Sequence, residues 1–179
     1  MRGSRRGWLV VLALLAIVST VAGIPYLIAS DDAQRPPLQE QPTSLTLPDG
    51  FTLQSLRQVE VEEVIDGDTI DVLIDGIETR IRYFGVDTPE RGRACYREAT
   101  DRNETLLGDT VLLLPDVRTE DDFGRLLRYV FLPDGTSVDA TLVAEGFGEA
   151  WTRDGRYRDR IAELETEAQA AERGCLWTP

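Results

Sequence analysis

Two Asp-Gly pairs, each set between short apolar runs, are the feature that most restricts how this 179-residue chain can fold. They are Asp66-Gly67 and Asp75-Gly76, within the continuous stretch VIDGDTIDVLIDGIETRIRYFGVDTPE at positions 64–90. Glycine supplies the positive φ that tight hairpins need, so each pair predicts a turn between antiparallel strands. The stretch therefore predicts three consecutive strands with carboxylates at their ends, and we interpret Asp66 and Asp75 as turn residues.

The third predicted strand carries two arginines two positions apart. Side chains alternate between the faces of a strand, so Arg80, Arg82 and Phe84 share one face while Ile81 and Tyr83 share the other. This spacing is also typical of an ordinary solvated face. By itself it leaves the role of Arg82 open.

Three segments of the chain, taken together, resemble the signature segments of the staphylococcal nuclease family. They are IDGDT at 65–69, Arg82 followed by VDTPE at 86–90, and FGR at 123–125. The similarity runs from about Val59 to Trp177 and keeps the order and spacing of the segments. It implies an OB-type, five-stranded barrel with three helices, an α+β fold.

The remaining pattern agrees with that fold. The sequence predicts, in order, a helix over 94–107, a strand over 110–114, a charged loop over 118–124, a strand over 125–132, a short helix capped by Ser137 and ending at Gly146, an extended segment over 147–152 and a helix over 156–173. The last helix has Ile161, Leu164, Ala168 and Ala171 on one face, and Leu176-Trp177 is expected to pack back on the barrel.

The N-terminal part predicts membrane targeting. Arg2, Arg5 and Arg6 precede a largely apolar run from Trp8 to Ala29, about the length that spans a bilayer. We interpret 1–30 as a signal or anchor, 31–56 as a polar flexible linker and 57–179 as the nuclease-like domain. The arginines place the rest of the chain outside the cytoplasm, membrane-anchored or secreted. Whether the leader is cleaved stays open.

The two cysteines, Cys95 and Cys175, fit an exported domain, in which such a pair usually forms a disulfide. Closing a loop of this size would stabilise the fold by roughly 4 to 5 kcal/mol at most in the chain-entropy model. The alternative is two free, buried thiols.

Composition excludes several mechanisms and raises one question. The chain has no histidine, which excludes serine-type triads, histidine-dependent nucleases and the common histidine zinc sites. Its formal net charge is −13, and all 19 basic residues are arginine. Such a chain repels phosphate polymers at low salt. A saline habitat and GC-rich coding both remain open as explanations.

The resemblance also implies a set of site residues. Asp68, Asp87 and the Thr88 carbonyl match the calcium ligands of the family. Glu90 matches the residue that orients or deprotonates water, and Arg82 and Arg125 match its phosphate-binding arginines. Alternatives remain for single positions, because Glu90 also suits the first turn of a helix and Gly124-Arg125 suits a plain turn into a strand.

The chain departs from the family where substrate is held. Asp122 and Phe123 stand where the family's well-known nuclease has a lysine and a tyrosine. Its stacking tyrosines have no clear match, and Trp151 and Tyr157 are the nearest aromatics. We therefore expect Phe123, Trp151 and Tyr157 to contact substrate by stacking.

Together these patterns predict a monomeric, calcium-dependent nuclease. It would hydrolyse DNA, and RNA as well, with low sequence specificity and leave 3′-phosphate ends, as the resemblance implies. The alternative is a non-catalytic OB-fold module that binds nucleic acid or protein at the cell envelope.

Overall fold

The computed structural model describes residues 43–178, and the predicted leader and the first part of the predicted linker, 31–42, lie outside this range. Within it, no helix is both long enough and apolar enough to cross a membrane. The predicted membrane segment, Trp8 to Ala29, falls among the residues that are not described.

Five strands close into a barrel, which confirms the predicted fold class. They are β1 (Arg57–Asp66), β2 (Thr69–Ile74), β3 (Ile77–Tyr83), β5 (Thr110–Glu120) and β6 (Leu126–Phe131), in the order β1-β2-β3-β6-β5 with β5 paired to β1. The hairpin between β2 and β3 turns at Asp75 and Gly76, whose φ angles are 54° and 80°. Positive φ at both central residues is the backbone that such a two-residue turn requires.

One parallel ladder joins the two halves of the barrel. β3 pairs with β6 so that Ile81 faces Leu126 and Arg82 faces Leu127, whereas every other pairing in the barrel is antiparallel. The ladder places the first residues of β6, which follow the Gly124-Arg125 turn, beside the arginine-bearing end of β3. Two of the three motif segments are therefore neighbours across a single strand pair.

Four helices and a small second sheet surround the barrel. The helices are α1 (Tyr96–Leu106), α2 (Val138–Ala144), α3 (Arg158–Ala170) and α4 (Gly174–Trp177), and the second sheet pairs β4 (Val86–Asp87) with β7 (Glu149–Ala150). The three predicted helices are present, and the predicted docking segment at Leu176-Trp177 forms α4. The Ser137 side chain caps α2 by accepting from the Ala140 amide at 3.3 Å.

The apolar face of α3 closes one side of the core. Ile161, Leu164 and Ala168 are buried, as their spacing predicts, but Ala171 is exposed because the helix ends before it. Burial of these side chains, together with the barrel interior, supplies the hydrophobic free energy that holds the helix on the barrel.

β5 is longer than predicted. It continues through Arg118 to Glu120, where a charged loop was expected, and pairs with β6 again at Glu120–Leu126 after a break in register. The extension projects from the barrel, since Val117 is 96% exposed. Because neither face of the extension is buried, its sequence does not alternate between apolar and polar residues, and the pattern that predicts a half-buried strand is absent.

The segment 43–56 was predicted to belong to the flexible linker, but it packs on the domain. Leu45 and Leu56 are buried, and the Thr43 hydroxyl is hydrogen-bonded to the Thr141 hydroxyl of α2. Ser44 forms a single β-bridge to Thr136. Leu47 and Leu53 also pack against the core, and the Ser137 amide donates to the Thr43 carbonyl, so several scattered contacts without a periodic pattern hold this segment.

The structure joins Cys95 to Cys175, with their Cα atoms 5.4 Å apart. This separation lies within the range that disulfide geometry allows. Cys95 is the residue preceding α1 and Cys175 belongs to α4, so the bond ties the first helix to the last. It closes a sequence separation of 80 residues.

Candidate active site

Asp68 is buried and lies in the β1–β2 turn, directly before β2. One carboxylate oxygen, Oδ2, accepts from the Thr88 amide at 2.6 Å and from the Thr88 hydroxyl at 2.8 Å. The other, Oδ1, accepts from the Thr69 hydroxyl at 3.2 Å and lies 3.1 Å from Arg82 Nε. Burial raises the pKa of Asp68 to about 6, against the opposing effects of Arg82 and the Thr88 hydrogen bonds.

Gly67 is required here for space and not, as predicted, for a positive φ. Its φ is outside the left-handed region, but a Cβ atom at this position would lie 2.7 Å from Thr88 Oγ1 and 2.8 Å from Thr88 Cβ. The absent side chain lets Thr88 reach Asp68. Asp66 completes the turn by accepting from the Asp68 amide at 3.1 Å, as a turn residue does.

The Arg82 guanidinium lies between the two predicted metal-binding carboxylates. Its Nη2 donates to Asp87 Oδ1 at 2.5 Å, and its Nε faces Asp68. Nη1 donates to the backbone carbonyls of Tyr83 and Val86 at 2.7 and 2.6 Å. Only one of the five N–H donors is left over, so the group is held in a single orientation by the chain itself.

Arg82, Asp87, Glu90 and Arg125 line one open cleft of about 590 Å³. Glu90 is exposed in the loop that follows β4. Charged side chains of both signs line this cleft. Its arginines are Arg82, Arg118, Arg125 and Arg153, and its carboxylates are Asp87, Glu90, Asp121, Asp122 and Asp154.

Arg125 is held in the cleft by Asp121. The two side chains meet at 2.6 Å, and Asp121 also accepts from the amides of Phe123 and Arg125 at 2.9 Å each. Partial burial opposes ionisation of Asp121, but these hydrogen bonds outweigh it and hold its pKa below the usual range. The guanidinium is therefore held in position by a partner whose ionised form is favoured.

The three predicted stacking residues separate into two groups. Phe123 and Trp151 both line the cleft, and Phe123 is 85% exposed. Tyr157 does not line it. Its ring packs edge-on against Tyr129 at 4.8 Å, and its hydroxyl donates to the Thr46 carbonyl at 2.8 Å. The structure therefore gives Tyr157 a packing role in place of the predicted contact with substrate.

The donor atoms of Asp68, Asp87 and the Thr88 carbonyl fit a hard divalent cation, because all are oxygens and no sulfur or imidazole competes. Among residues 43–178, no group of three or more acidic, histidine or cysteine side chains gathers around one point. A cation here would thus take two carboxylates and a carbonyl from the protein and its other ligands from water.

Three residues that support the site have no signal in the sequence pattern. Asp139 of α2 is completely buried and accepts from the Gly85 amide at 2.8 Å, in the turn between Arg82 and Asp87. Asp154 binds Arg118 and the Trp151 indole, while Arg153 lies over the Trp151 ring. Charged residues in a loop or a short helix look like solvated surface until the tertiary contacts are known.

A closed barrel with two carboxylates, an exposed glutamate and two arginines at one edge defines an OB-fold protein whose cleft suits a phosphate-bearing ligand. Residues 80–179, more than half of the chain, match the family model described as Staphylococcal nuclease homologue. The chain belongs to the staphylococcal nuclease family.

Several curated proteins are similar to this chain. Endonuclease YncB of Bacillus subtilis is 34% identical over 128 residues, covering 65% of this chain and 60% of that protein. The SPbeta prophage-derived endonuclease YokF of the same organism is 32% identical over 136 residues, covering 70% and 45%. The thermonuclease of Staphylococcus intermedius is 36% identical over 118 residues, covering 61% and 70%. This chain thus spans about half the length of the two Bacillus proteins.

Proposed function

We propose that this protein is a calcium-dependent nuclease that hydrolyses phosphodiester bonds in DNA, and in RNA, with low sequence specificity and leaves 3′-phosphate ends. The proposal rests on one observation. Asp68 and Asp87 both contact the Arg82 guanidinium, and Arg82 and Asp87 line the same cleft as Glu90 and Arg125. Family membership and the names of the similar endonucleases and thermonuclease support it.

Glu90 is the residue we assign to the attacking water. Its carboxylate is exposed to the cleft and is close in sequence to Asp87 and Thr88 at the end of β4. From there it can accept a hydrogen bond from water and orient it, or take its proton, as the water approaches phosphorus. Bound to Asp68, Asp87 and the Thr88 carbonyl, Ca²⁺ would lower the pKa of water and offset negative charge on the phosphate.

Arg82 and Arg125 are assigned to the phosphate oxygens. Guanidinium N–H donors bind phosphate oxygens and stabilise the charge that develops during displacement. Arg82 has one N–H donor left over while it contacts Asp68 and Asp87, and it would gain more if a bound cation neutralised those carboxylates. The parallel pairing of β3 with β6 fixes the backbones that carry these side chains. Both arginines are already oriented by acidic partners, so little conformational entropy is lost when they meet the substrate.

Low sequence specificity follows from the composition of the cleft. Its charged groups are suited to phosphate and metal, and its aromatic residues, Trp151 and Phe123, are suited to stacking. Stacking accepts any base, because every base has a π face.

We also propose an extracytoplasmic location, membrane-anchored or secreted, and a monomeric state. The disulfide between Cys95 and Cys175 supports the location, since such bonds persist mainly in oxidising compartments. The apolar run at 8–29 would provide the membrane attachment.

The first prediction concerns Glu90→Gln, which keeps the size of the side chain and removes its charge. Incubated with plasmid DNA or with RNA and Ca²⁺, the wild type should degrade both, chelation should stop the reaction, and the variant should be slower by about 10²- to 10⁴-fold. End-group analysis of the products checks for 3′-phosphates. Glu98→Gln, an exposed position on α1, is the matched control and should keep wild-type activity.

Two outcomes would contradict the proposal. A wild type that binds oligonucleotides but cleaves none at any calcium or salt concentration would indicate a non-catalytic binding module. Equal rates for Glu90→Gln and the wild type would remove Glu90 from the mechanism.

A further inference from the structure

Four side chains form a continuous stack along one side of the cleft, which we call the stacked wall: Phe84, Arg118, Trp151 and Arg153. The Arg118 guanidinium carbon is 5.2 Å from the centre of the Phe84 ring and 5.6 Å from that of Trp151. The Arg153 guanidinium carbon is 4.7 Å from the centre of the Trp151 ring. These separations are within the range of cation–π attraction.

Asp154 fixes the middle of the stacked wall. It accepts from Arg118 Nε at 2.7 Å and from Arg118 Nη2 at 3.1 Å, and its Oδ1 also accepts from the Trp151 indole N–H at 2.6 Å. One carboxylate thereby orients both the guanidinium and the ring. Asp154 also neutralises Arg118, so Arg118 holds the stacked wall in place and offers little charge to a ligand.

Arg153 differs from the other arginines of the cleft in its partners. Arg82 is paired with Asp68 and Asp87, Arg118 with Asp154 and Arg125 with Asp121. In the described range 43–178, Arg153 makes no ion pair within 4.0 Å, and it is exposed. Asp154 interacts with Arg153 electrostatically but is bonded to Arg118, so the Arg153 charge can meet a ligand without the loss of a salt bridge.

The absence of a salt bridge at Arg153 among the described residues matters because the cleft is acidic. Five carboxylates and four arginines line the cleft, so a polyanionic strand meets a surface that is acidic on balance. A phosphate that binds beside the reacting phosphate needs a cation that is not held in a salt bridge. Arg153, which rests on the Trp151 ring, supplies one at a defined position.

We propose that Arg153, presented by Trp151, is a subsite for a second phosphate of the nucleic-acid strand, next to the one that reacts. The inference rests on the proposed nuclease function and adds a preference to it. Substrates that extend over more than one phosphate gain a contact at Arg153, and small phosphodiesters with a single phosphate do not.

The test compares Arg153→Ala with Arg153→Lys and with the control Arg97→Ala, which removes the same charge from an exposed position of α1 outside the cleft. KM for a polynucleotide should rise about three- to tenfold in Arg153→Ala, with kcat within about twofold. Hydrolysis of the p-nitrophenyl ester of thymidine monophosphate should not change. Arg153→Lys should recover most of the loss, because the charge remains.

Binding provides a second measurement that does not depend on cleavage. In the Glu90→Gln background, the affinity for a fluorescein-labelled oligodeoxynucleotide is measured by anisotropy over a salt series with Ca²⁺. The slope of log K against log salt should decrease in magnitude by about 0.7 in Arg153→Ala, the value for one lost phosphate contact on a single strand. Arg97→Ala should leave the slope unchanged.

The inference would be overturned if Arg153→Ala and Arg97→Ala gave the same KM and the same slope, since the effect would then be one of overall charge. An equal loss on the small ester would also overturn it, because Arg153 would then act on the reacting phosphate. If the wild type cleaves nothing, the nuclease function fails, and the anisotropy slopes still decide whether Arg153 binds phosphate.

Discussion

Asp139 is a single buried carboxylate that connects α2 to strand β6 and to the turn between β3 and β4. Its Oδ1 accepts from the Gly85 amide at 2.8 Å and its Oδ2 from the Val130 amide at 2.9 Å. Gly85 lies in the turn between Arg82 and Asp87, so the bond fixes the backbone from which both site residues project. Asp139 is therefore a positioning residue, and it does not touch the cleft.

Burial raises the pKa of Asp139 from about 3.8 to about 6, although the two amide hydrogen bonds and Arg82 oppose the rise. The phenols of Tyr83 and Tyr129, which are close enough to interact with it, have pKa values raised above the usual range and stay neutral at acidic pH. Because the folded state retains the Asp139 proton that the unfolded state releases, the group's contribution to stability falls as pH rises through this window.

We predict that the free energy of unfolding loses about 2 kcal/mol between pH 4 and pH 6 through Asp139. In Asp139→Asn this part of the pH dependence should disappear, while a pH-independent cost appears because one amide loses its acceptor. Urea denaturation across the pH series, without divalent cations, measures both. Asp49→Asn, at an exposed turn, is the control, and a variant slope equal to the wild-type slope would refute the assignment.

At the residue scale, the sequence points to the residues proposed to carry chemistry and not to those that support them. Asp68, Asp87 and Glu90 were selected because their motif segments resemble those of the family, and their roles stay predictions. Asp139 and Asp154 act through contacts with residues distant in the sequence. No local pattern separates them from surface carboxylates, so they were missed.

At the scale of elements, the loop between β4 and α1 carries Glu90 and has little internal structure. Residues 90–94 are all exposed, and the main backbone bond inside the loop runs from the Arg93 amide to the Glu90 carbonyl at 2.9 Å. Thr88 anchors one end of the loop on Asp68, and buried Cys95 anchors the other on α4. The disulfide is therefore part of what positions Glu90.

We predict that the double variant Cys95→Ala/Cys175→Ala loses both stability and activity. The unfolding free energy should fall by at most about 4 to 5 kcal/mol. At a temperature where the variant is folded, kcat should fall about tenfold, since a mobile loop holds Glu90 less well. Thermal denaturation and initial rates check this.

A reducing agent should reproduce the loss in the wild type and have no further effect on the double variant. Unchanged kcat in a folded, reduced protein would show that Glu90 is held without the disulfide.

The elements themselves were predictable wherever one face is buried and the other is not. The β2–β3 hairpin and α3 follow from their turn residues and periodicity. The parallel pairing of β3 with β6 and the outward extension of β5 to Glu120 do not, because the first depends on contacts between distant segments and the second has no buried face.

At the scale of the whole molecule, net charge controls encounter with the substrate. The formal net charge is −13, and the lining of the cleft contains more carboxylates than arginines. We predict that the rate of polynucleotide hydrolysis at fixed Ca²⁺ rises from the lowest salt to about 0.1–0.2 M, as screening weakens repulsion, and then falls as phosphate contacts weaken.

Initial rates over a sodium chloride series measure the effect of salt on catalysis, and melting temperatures over the same series show whether salt acts on folding instead. A rate that falls from the lowest salt onward would contradict the prediction.

Because Arg82 lies between Asp68 and Asp87, this part of the site can fold without a bound metal ion. Two acids that face each other, one of them buried, would repel strongly if nothing positive lay between them. The guanidinium belongs to the chain, so the protein carries its own counter-ion to the place where a divalent ion would bind. The acidic corner can thus be assembled before any ion is bound, and a divalent ion held by Asp68 and Asp87 would take over the neutralisation that Arg82 provides.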